Sequence, residues 1–391
     1  MSDSIYLDHN ATTPTRPEVV EAMVQCLATA TANPASAHRP GQQARRLLED
    51  AREEIAAILG VELAPPRRDR LIFTSGGTEA NNLAVLGISL GASTASPGRI
   101  VFSAGEHQSV IEPAEHLLEQ GWRLDTLGLT ADGLVRLEQL PPLLDGSTRL
   151  VTVQLGNHET GVLQPVEAVA DLCRQAGVPV HTDAVQVVGK QPVDFRRLGV
   201  DAMSVAAHKF RGPVGIGALA IRDGVPLRPL MFGGHQQGGF RPGTESVALA
   251  VGMATALRLW NDEADRLAQH LQRLRDRFEI GLRAELPNIV VHGAAAPRLP
   301  QTVNVAFPEL DGQILLMALD LAGVACSVGS ACSSGSTELS PTLRAMDLPN
   351  PLVAASLRFS LGATTTEQEI EEAVRRINLV CRQLRALESP R

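Results

Sequence analysis

Two lysines occur in a chain that otherwise uses arginine for its positive charges. Of the 35 basic residues among 391, only Lys190 and Lys209 are lysines, which leaves 33 arginines. Lys209 lies between an apolar run and a glycine-containing turn, where a solvated charge is not expected. Arginine cannot replace an amine that must lose its proton and form a Schiff base, whereas the pKa of lysine falls readily on burial. Lys209 is therefore a candidate for covalent chemistry with a carbonyl compound. Lys190, in Val-Gly-Lys-Gln-Pro, is expected at the surface, the usual place of a lysine.

A pair of glycines, Gly76 and Gly77, follows one predicted strand and opens a helix, with Thr78 beside it. Free backbone N–H groups and the positive end of a helix suit a phosphate group. The segment is neither a Walker A loop nor a Gly-x-Gly-x-x-Gly fingerprint. Taken alone, it is equally typical of an ordinary capped helix.

An acidic residue, Asp183, follows another apolar strand, and Gln186 stands three residues later. A buried carboxylate needs a cation or strong hydrogen-bond donors, and a pyridinium nitrogen would be such a partner. A capping role is the alternative for Asp183 considered singly. A phosphate cradle, an acid and a Schiff-base lysine, each at a strand end, are together the set that pyridoxal phosphate requires.

Two histidines could serve the same site. His107 also follows a predicted strand, where its ring could stack on an aromatic cofactor or carry protons. His208 adjoins Lys209 and could donate a hydrogen bond to a phosphate. A purely structural histidine is the alternative for each.

Cys332 and Arg358 are candidates for the substrate chemistry. Cys332 lies in a run of glycine, serine and alanine that predicts a mobile loop, and a nucleophile that travels between a cofactor and an external acceptor would need one. An inert thiol is the alternative. Arg358 has the forked guanidinium that binds a carboxylate with two hydrogen bonds, although a structural ion pair would also explain it.

Short strand-like runs alternate with helical stretches between residues 70 and 222, which predicts an α/β domain with a mainly parallel sheet. Ligands bind beyond the carboxyl ends of the strands in such sheets, where the candidate residues fall. We predict a large domain over residues 15–260 and a smaller α+β domain of residues 1–14 and 261–391 that carries Cys332. The predicted strands are Leu71 to Thr74, Arg99 to Phe102, Leu150 to Val153, Val178 to His181, Asp201 to Val205, Gly217 to Ile221, Ile289 to His292 and Thr302 to Ala306. Long helical patterns cover residues 244–286 and 366–387.

The bulk composition excludes several classes of protein. A net charge of -8 argues against nucleic-acid binding through phosphate contacts. No apolar run approaches the roughly 20 residues that cross a bilayer, and no secretory signal opens the chain, so a cytoplasmic location is expected. Five cysteines do not suggest a disulfide framework, and their spacing gives poor support for a metal site.

Motifs along nearly the whole chain resemble those of the cysteine desulfurases, which are pyridoxal-phosphate enzymes of the class V aminotransferase fold associated with iron-sulfur cluster assembly. The matching segments follow the order of that family. They are Tyr6 to Pro14, Asn33 to Arg39, Thr74 to Glu79, Asn157 to Gly161, His181 to Gln186, His208 with Lys209, Gly233 to Thr244, Gly329 to Gly335 and Ser356 to Gly362.

This resemblance implies a fold type I transferase with a seven-stranded sheet and a role for each matching residue. It makes Lys209 the Schiff-base lysine, Asp183 the partner of the pyridine nitrogen and His107 the residue that stacks on the ring. Cys332 becomes the acceptor of the sulfur of L-cysteine, with L-alanine as the second product. The other implied contacts are Gln186 to the phenolic oxygen; Gly77, Thr78 and His208 to the phosphate; and Asn157 and Arg358 to the substrate.

The family likeness further implies a homodimer in which Thr244 reaches the neighbouring subunit's phosphate, and a protein acceptor for the sulfur, such as a cluster scaffold. Two positions depart from the family pattern, because Ala206 replaces a common phosphate-binding serine and Ala363 replaces a common arginine. A selenocysteine lyase and an aminotransferase of the same fold remain alternatives, as does a catalytically silent relative.

Overall fold

A computed structural model describes residues 4–91, 96–329 and 339–388. Its strands are β1 (Ile5–Tyr6), β2 (Arg70–Thr74), β3 (Arg99–Ser103), β4 (Arg123–Leu127), β5 (Thr148–Thr152), β6 (Val180–Asp183), β7 (Ala202–Ala206), β8 (Gly217–Ile221), β9 (Val290–Val291), β10 (Thr302–Ala306), β11 (Val324–Ala325) and β12 (Ser356–Ser360). Its α-helices are α1 (Pro17–Thr29), α2 (Arg39–Leu59), α3 (Gly77–Gly91), α4 (Gln108–Leu118), α5 (Val166–Ala176), α6 (Phe195–Leu198), α7 (Val247–Asn261), α8 (Ala264–Glu285), α9 (Gly312–Leu321), α10 (Pro341–Ala345), α11 (Asn350–Ala354) and α12 (Glu367–Glu388).

The main sheet has seven strands in the order β2-β8-β7-β6-β5-β3-β4. Strand β8 runs antiparallel to both of its neighbours, and the other neighbouring pairs are parallel. Both faces are covered, as the alternation in β2 shows: Leu71 and Phe73 join one apolar cluster, and Ile72 joins the cluster on the other face. The α/β class, the mainly parallel sheet and the number of strands are confirmed.

Two smaller sheets, β12-β10-β9 and β1-β11, accompany the second half of the chain. Their buried apolar side chains form a third cluster with residues of α8, α9 and α12, and Ile5 and Leu7 from the start of the chain belong to it. The domain boundaries at residues 14 and 260 stay a prediction.

The eight predicted strands are present with shifts of a few residues at their ends. Strand β4 was not predicted, because its sequence Arg-Leu-Asp-Thr-Leu is half polar, as suits a strand at the edge of the sheet. The helical pattern over residues 244–286 forms two helices, α7 and α8, which are separated at Asp262 and Glu263. None of the helices in the described ranges combines the length and the apolar character that crossing a bilayer requires.

Phe278 of α8 tests the importance of the third cluster. Its side chain is fully buried, and its ring centroid lies 5.1 Å from that of Phe359 in β12. Phe278→Ala should lower the free energy of unfolding by about 3–5 kcal/mol, because a large cavity replaces the ring. Ile280→Ala, on the same helix but 67% exposed, should change it by less than about 0.5 kcal/mol. Equal effects of the two substitutions in urea denaturation would contradict this packing.

Candidate active site

A cavity of about 380 Å³ opens at the carboxyl ends of the central strands. Eight of the residues singled out from the sequence line it, and they come from segments spread over the chain: Gly77, Thr78, His107, Asp183, Gln186, His208, Lys209 and Arg358. The fold therefore places these residues at one site, at the edge of the sheet where ligands of open α/β sheets bind.

The turn from β2 into α3 forms one wall of the cavity. The N–H groups of the first helical turn have no partner inside the helix and are available to an anion. A side chain at Gly77 would not fit, because its Cβ atom would lie 2.9 Å from Cγ2 of Val185. The carboxylate of Glu79 accepts a hydrogen bond from the N–H of Ser75 at 2.6 Å and holds the turn in shape.

The carboxylate of Asp183, at the end of β6, is buried and held by two N–H donors. The side-chain amide of Asn81 donates to Oδ2 at 2.7 Å, and the backbone N–H of Val185 donates to Oδ1 at 2.9 Å. The same amide nitrogen of Asn81 donates to the hydroxyl of Ser109 at 2.8 Å. Asp183 is thus oriented by α3 and linked to the start of α4.

The imidazole of His107 belongs to the same hydrogen-bonded chain. Its Nδ1 lies 2.7 Å from the Ser109 hydroxyl and accepts from the Ser109 backbone N–H at 3.0 Å, which caps α4. Because Nδ1 acts as an acceptor, a ring proton is placed on Nε2. The ring meets that of His158 edge to face, with 5.4 Å between centroids.

The amine of Lys209 lies in the short 3-10 helix Ala207–Phe210, directly after β7. It donates to the backbone carbonyls of Asn10 at 2.5 Å and Ala11 at 2.9 Å. Thr13 fastens this N-terminal segment, because its hydroxyl donates to the carbonyl of His208 at 2.6 Å. Hydrogen bonds therefore join the N-terminal segment to the turn that carries His208 and Lys209, which is called the lysine turn below.

Arg358, in β12, is buried and already has an acidic partner. Its Nη2 lies 2.7 Å from Oδ1 of Asp8, and its Nη1 donates to the carbonyls of His158 and Gly329. Its Nε has no hydrogen-bond partner among the described residues. The guanidinium lines the cavity while this ion pair fixes its orientation.

Cys332 lies outside the described residues, but the flanking residues Gly329 and Leu339 both line the cavity. Buried Glu159 lies between the two flanks. It accepts a hydrogen bond from the Ser340 hydroxyl at 2.7 Å, and a Cβ atom on Gly329 would lie 2.6 Å from its Oε2. The segment that contains Cys332 therefore begins and ends at the rim of the cavity.

Comparison with known proteins identifies the family. Residues 5–373 match the family aminotransferase class-V. The cysteine desulfurase IscS of Dictyoglomus turgidum is 38% identical over 99% of this chain and 97% of its own length. The chain belongs to the cysteine desulfurases of this family. Two solved structures are also similar. A NifS-like protein is 33% identical, with a TM-score of 0.89 over 97% of this chain and 100% of its own. The structure "SspA in complex with cysteine" is 30% identical, with a TM-score of 0.81 over 93% of this chain and 100% of its own.

Family members use pyridoxal phosphate, and the cavity fits such a group. The turn at Gly76 and Gly77 leaves room for a phosphate, and Lys209 supplies an amine. Among the described residues, the hydrogen-bond donors to the buried carboxylate of Asp183 are the neutral N–H groups of Asn81 and Val185. Gln186 adds a buried side-chain oxygen with no hydrogen-bond partner among the described residues. The set is suited to a ring with a basic nitrogen, a polar substituent and an anionic group.

Burial shifts the pKa values of several ionisable groups in the cavity wall towards their uncharged forms. Burial, and secondarily the charge of Asp183, raises the pKa of Glu106 well above its ordinary value. Burial, together with the nearby basic groups, holds the pKa of His158 well below its ordinary value. The pKa of His208 falls to about 4, mainly through burial and then through the charges of Lys209 and Lys190. The uncharged forms of these three groups, which line the cavity, are therefore favoured.

Two residues that the family resemblance placed at the site do not line the cavity. The side chain of Asn157 is buried behind it, where its oxygen accepts from the N–H groups of Glu159 and Thr160. Thr244 is exposed, on a segment that the ion pair of Arg241 with Glu79, at 2.8 Å, fastens to the glycine turn.

Sequence reasoning missed the residues that join these groups. Asn81 stands one helical turn after Gly77, so the helical period could have pointed to it, but nothing local marks Ser109 or the carbonyl of Asn10. The prediction for Lys190 was wrong, because its side chain is only 5% exposed and lies in the protein interior.

The tight packing at Gly77 can be tested against its neighbour. Gly77→Ala should lower the free energy of unfolding by about 1–3 kcal/mol, because the added methyl group must displace Val185. Gly76→Ala is the matched control: a Cβ atom there meets nothing within 4 Å, so a change below about 0.5 kcal/mol is expected. Chemical denaturation measures both values, and a neutral Gly77→Ala would show that the turn is looser than described.

Proposed function

We propose that this chain is a pyridoxal-phosphate-dependent cysteine desulfurase that releases L-alanine from L-cysteine and keeps the sulfur as a persulfide on Cys332. One observation carries the proposal. The cavity brings together an amine, a buried carboxylate and a phosphate-sized helix turn, and both ends of the Cys332 segment lie at its rim.

The proposed contacts with the cofactor follow from the cavity walls. The turn at Gly77 and Thr78, with His208, would hold the phosphate, and Asp183 would keep the ring nitrogen protonated. The ring of His107 would stack on the cofactor, and Gln186 would approach its phenolic oxygen. Bound in this way, the cofactor withdraws electrons from the α-carbon of the substrate.

The protein's own groups then perform the remaining steps. Lys209, released from the cofactor, would move the α-proton of the substrate. Arg358 would bind the substrate carboxylate in exchange for Asp8, and its Nε, which has no hydrogen-bond partner within the described residues, is a further donor. Asn157, buried behind the wall, would help to orient the substrate.

The sulfur step is assigned to Cys332. Its thiolate would attack the sulfur of L-cysteine, so that a sulfur–sulfur bond forms while the carbon–sulfur bond of the substrate breaks. The carbon fragment gains protons and leaves as L-alanine. The outer sulfur would then pass to an acceptor protein, such as an iron-sulfur cluster scaffold.

We further propose a homodimer in which Thr244 reaches the site of the partner subunit. Its exposure supports this arrangement, as do the exposed side chains of Met231 and Phe232 on the preceding stretch, which are 48% and 84% accessible. The cytoplasmic location stays a prediction.

Replacement of the two cysteines of one segment tests the assigned nucleophile. Cys332→Ser should keep the visible absorbance of bound cofactor but lose nearly all sulfide release from L-cysteine, because no thiolate remains to take the sulfur. Cys326→Ser is the control: burial raises the pKa of its thiol to about 12, so little thiolate exists and activity should be retained. Full activity of Cys332→Ser would refute the assignment, and equal rates on cysteine and selenocysteine would reopen the choice of substrate.

A further inference from the structure

The two lysines of the chain, Lys190 and Lys209, share a cavity. Lys190 and Lys209 both line a second, small cavity of about 40 Å³, and Lys209 also lines the active-site cavity. Every other basic position in the sequence is an arginine or a histidine. The two lysines of the chain therefore line one cavity, although the sequence otherwise uses arginine.

The small cavity is surrounded by polar atoms whose hydrogen bonds the described residues do not satisfy. These atoms are Nζ of Lys190, Nδ1 of His9, Nε1 of Trp260 and Oε1 of Gln301. Buried polar atoms without partners are costly, and a cavity of this size has room for a water molecule that could bridge several of them. Gln301 also donates to Oδ1 of Asn10, the residue whose carbonyl accepts from Lys209.

Among the described residues, Lys190 has no acidic partner that would keep it charged. Its side chain is 5% exposed, and burial, with a further contribution from the charge of Lys209, holds its pKa well below the ordinary value. A neutral amine both donates and accepts hydrogen bonds, unlike a protonated one. Because its pKa is lowered, the Lys190 amine loses its proton more easily than an exposed lysine does, and without that proton it can accept one.

The other charged groups around the cavity do not supply that partner. Arg16 forms an ion pair with Glu263 at 2.5 Å, so the charges of these two residues balance each other. Burial and the charge of Arg16 lower the pKa of Arg211, which remains a cation. Burial and the charges of Lys190 and Arg211 bring the pKa of His9 to about 4, against opposing contributions from Glu369 and a backbone hydrogen bond with Tyr6. His208, on the side of Lys209, is neutral for similar reasons.

We propose that Lys190 is a positioning residue for Lys209: an uncharged amine that accepts a proton from the Lys209 amine through the cavity that both residues line. An N–H bond on Lys209 breaks and one on Lys190 forms, so the total charge of the buried pair does not change. Arginine could not serve, because its guanidinium keeps its proton. In this proposal both positions require a basic group that can lose its proton, and lysine meets that requirement.

This inference rests on the proposed function, in which Lys209 must lose a proton before it can rejoin the cofactor. A chain with two lysines allows a direct test. In the full-length, cofactor-free protein labelled with ¹⁵N at lysine Nζ, only two side-chain amine signals are expected, and Lys190→Met assigns them.

The expected result is a neutral Lys190 amine at pH 7. Lys209→Met should raise the titration midpoint of Lys190 by about one pH unit or more, because the repulsion between two interacting charges is removed. A charged Lys190 at pH 7, or a midpoint that does not move in Lys209→Met, would overturn the proposal.

Two variants of the full-length enzyme loaded with cofactor test the role of the proton acceptor. Lys190→Met keeps the approximate length and removes the amine, whereas Lys190→Arg keeps a cation that cannot accept a proton. Both should retain the visible absorbance of the cofactor and lower kcat at least about tenfold, with KM for L-cysteine within about twofold. An unchanged kcat in either variant would refute the role. A different result would show that the proposed function itself is wrong. In that case Lys209→Met would bind the cofactor as firmly as the parent chain, whatever the titrations of the two amines show.

Discussion

The hydrogen bond from the Asn81 amide to the Asp183 carboxylate is the interaction on which the site depends. It joins α3, which begins at the glycine turn, to the end of β6, the central strand of the sheet. The same amide nitrogen reaches Ser109 and through it His107. The helix that begins at the glycine turn, the acid and the imidazole are therefore linked through the Asn81 side chain. The buried carboxylate is tolerated because its oxygens accept hydrogen bonds.

The second constraint is the N-terminal segment that closes over the lysine turn. Asn10 and Ala11 accept hydrogen bonds from the Lys209 amine, and Asp8, two residues earlier, pairs with Arg358. This stretch thus orients both the amine and the guanidinium. Its neighbours Ile5 and Leu7 are buried in the apolar cluster of the second half of the chain, so the position of the segment is tied to that cluster.

Much of the fold and the main site residues could be predicted from the sequence. Apolar runs such as Leu71 to Thr74 mark buried strands, and a polar residue directly after such a run, like Asp183, falls at the edge where ligands bind. Half-polar β4 lacked that signal. The Asn81–Asp183 bond spans 102 positions along the chain, and no local pattern encodes such a contact. The surface position predicted for Lys190 was wrong for a related reason. Its burial depends on contacts with α7 and with the segments around His9 and Gln301, which are distant in the sequence.

The central claim is that Lys209 is the amine to which the cofactor is attached. Reduction of the cofactor-loaded enzyme with borohydride, followed by peptide mass analysis, tests this claim most directly, because only two lysines can carry the added mass. The account predicts the pyridoxyl group on the peptide that contains Lys209, and on no other. Its presence on the Lys190 peptide, or on neither, would contradict the account.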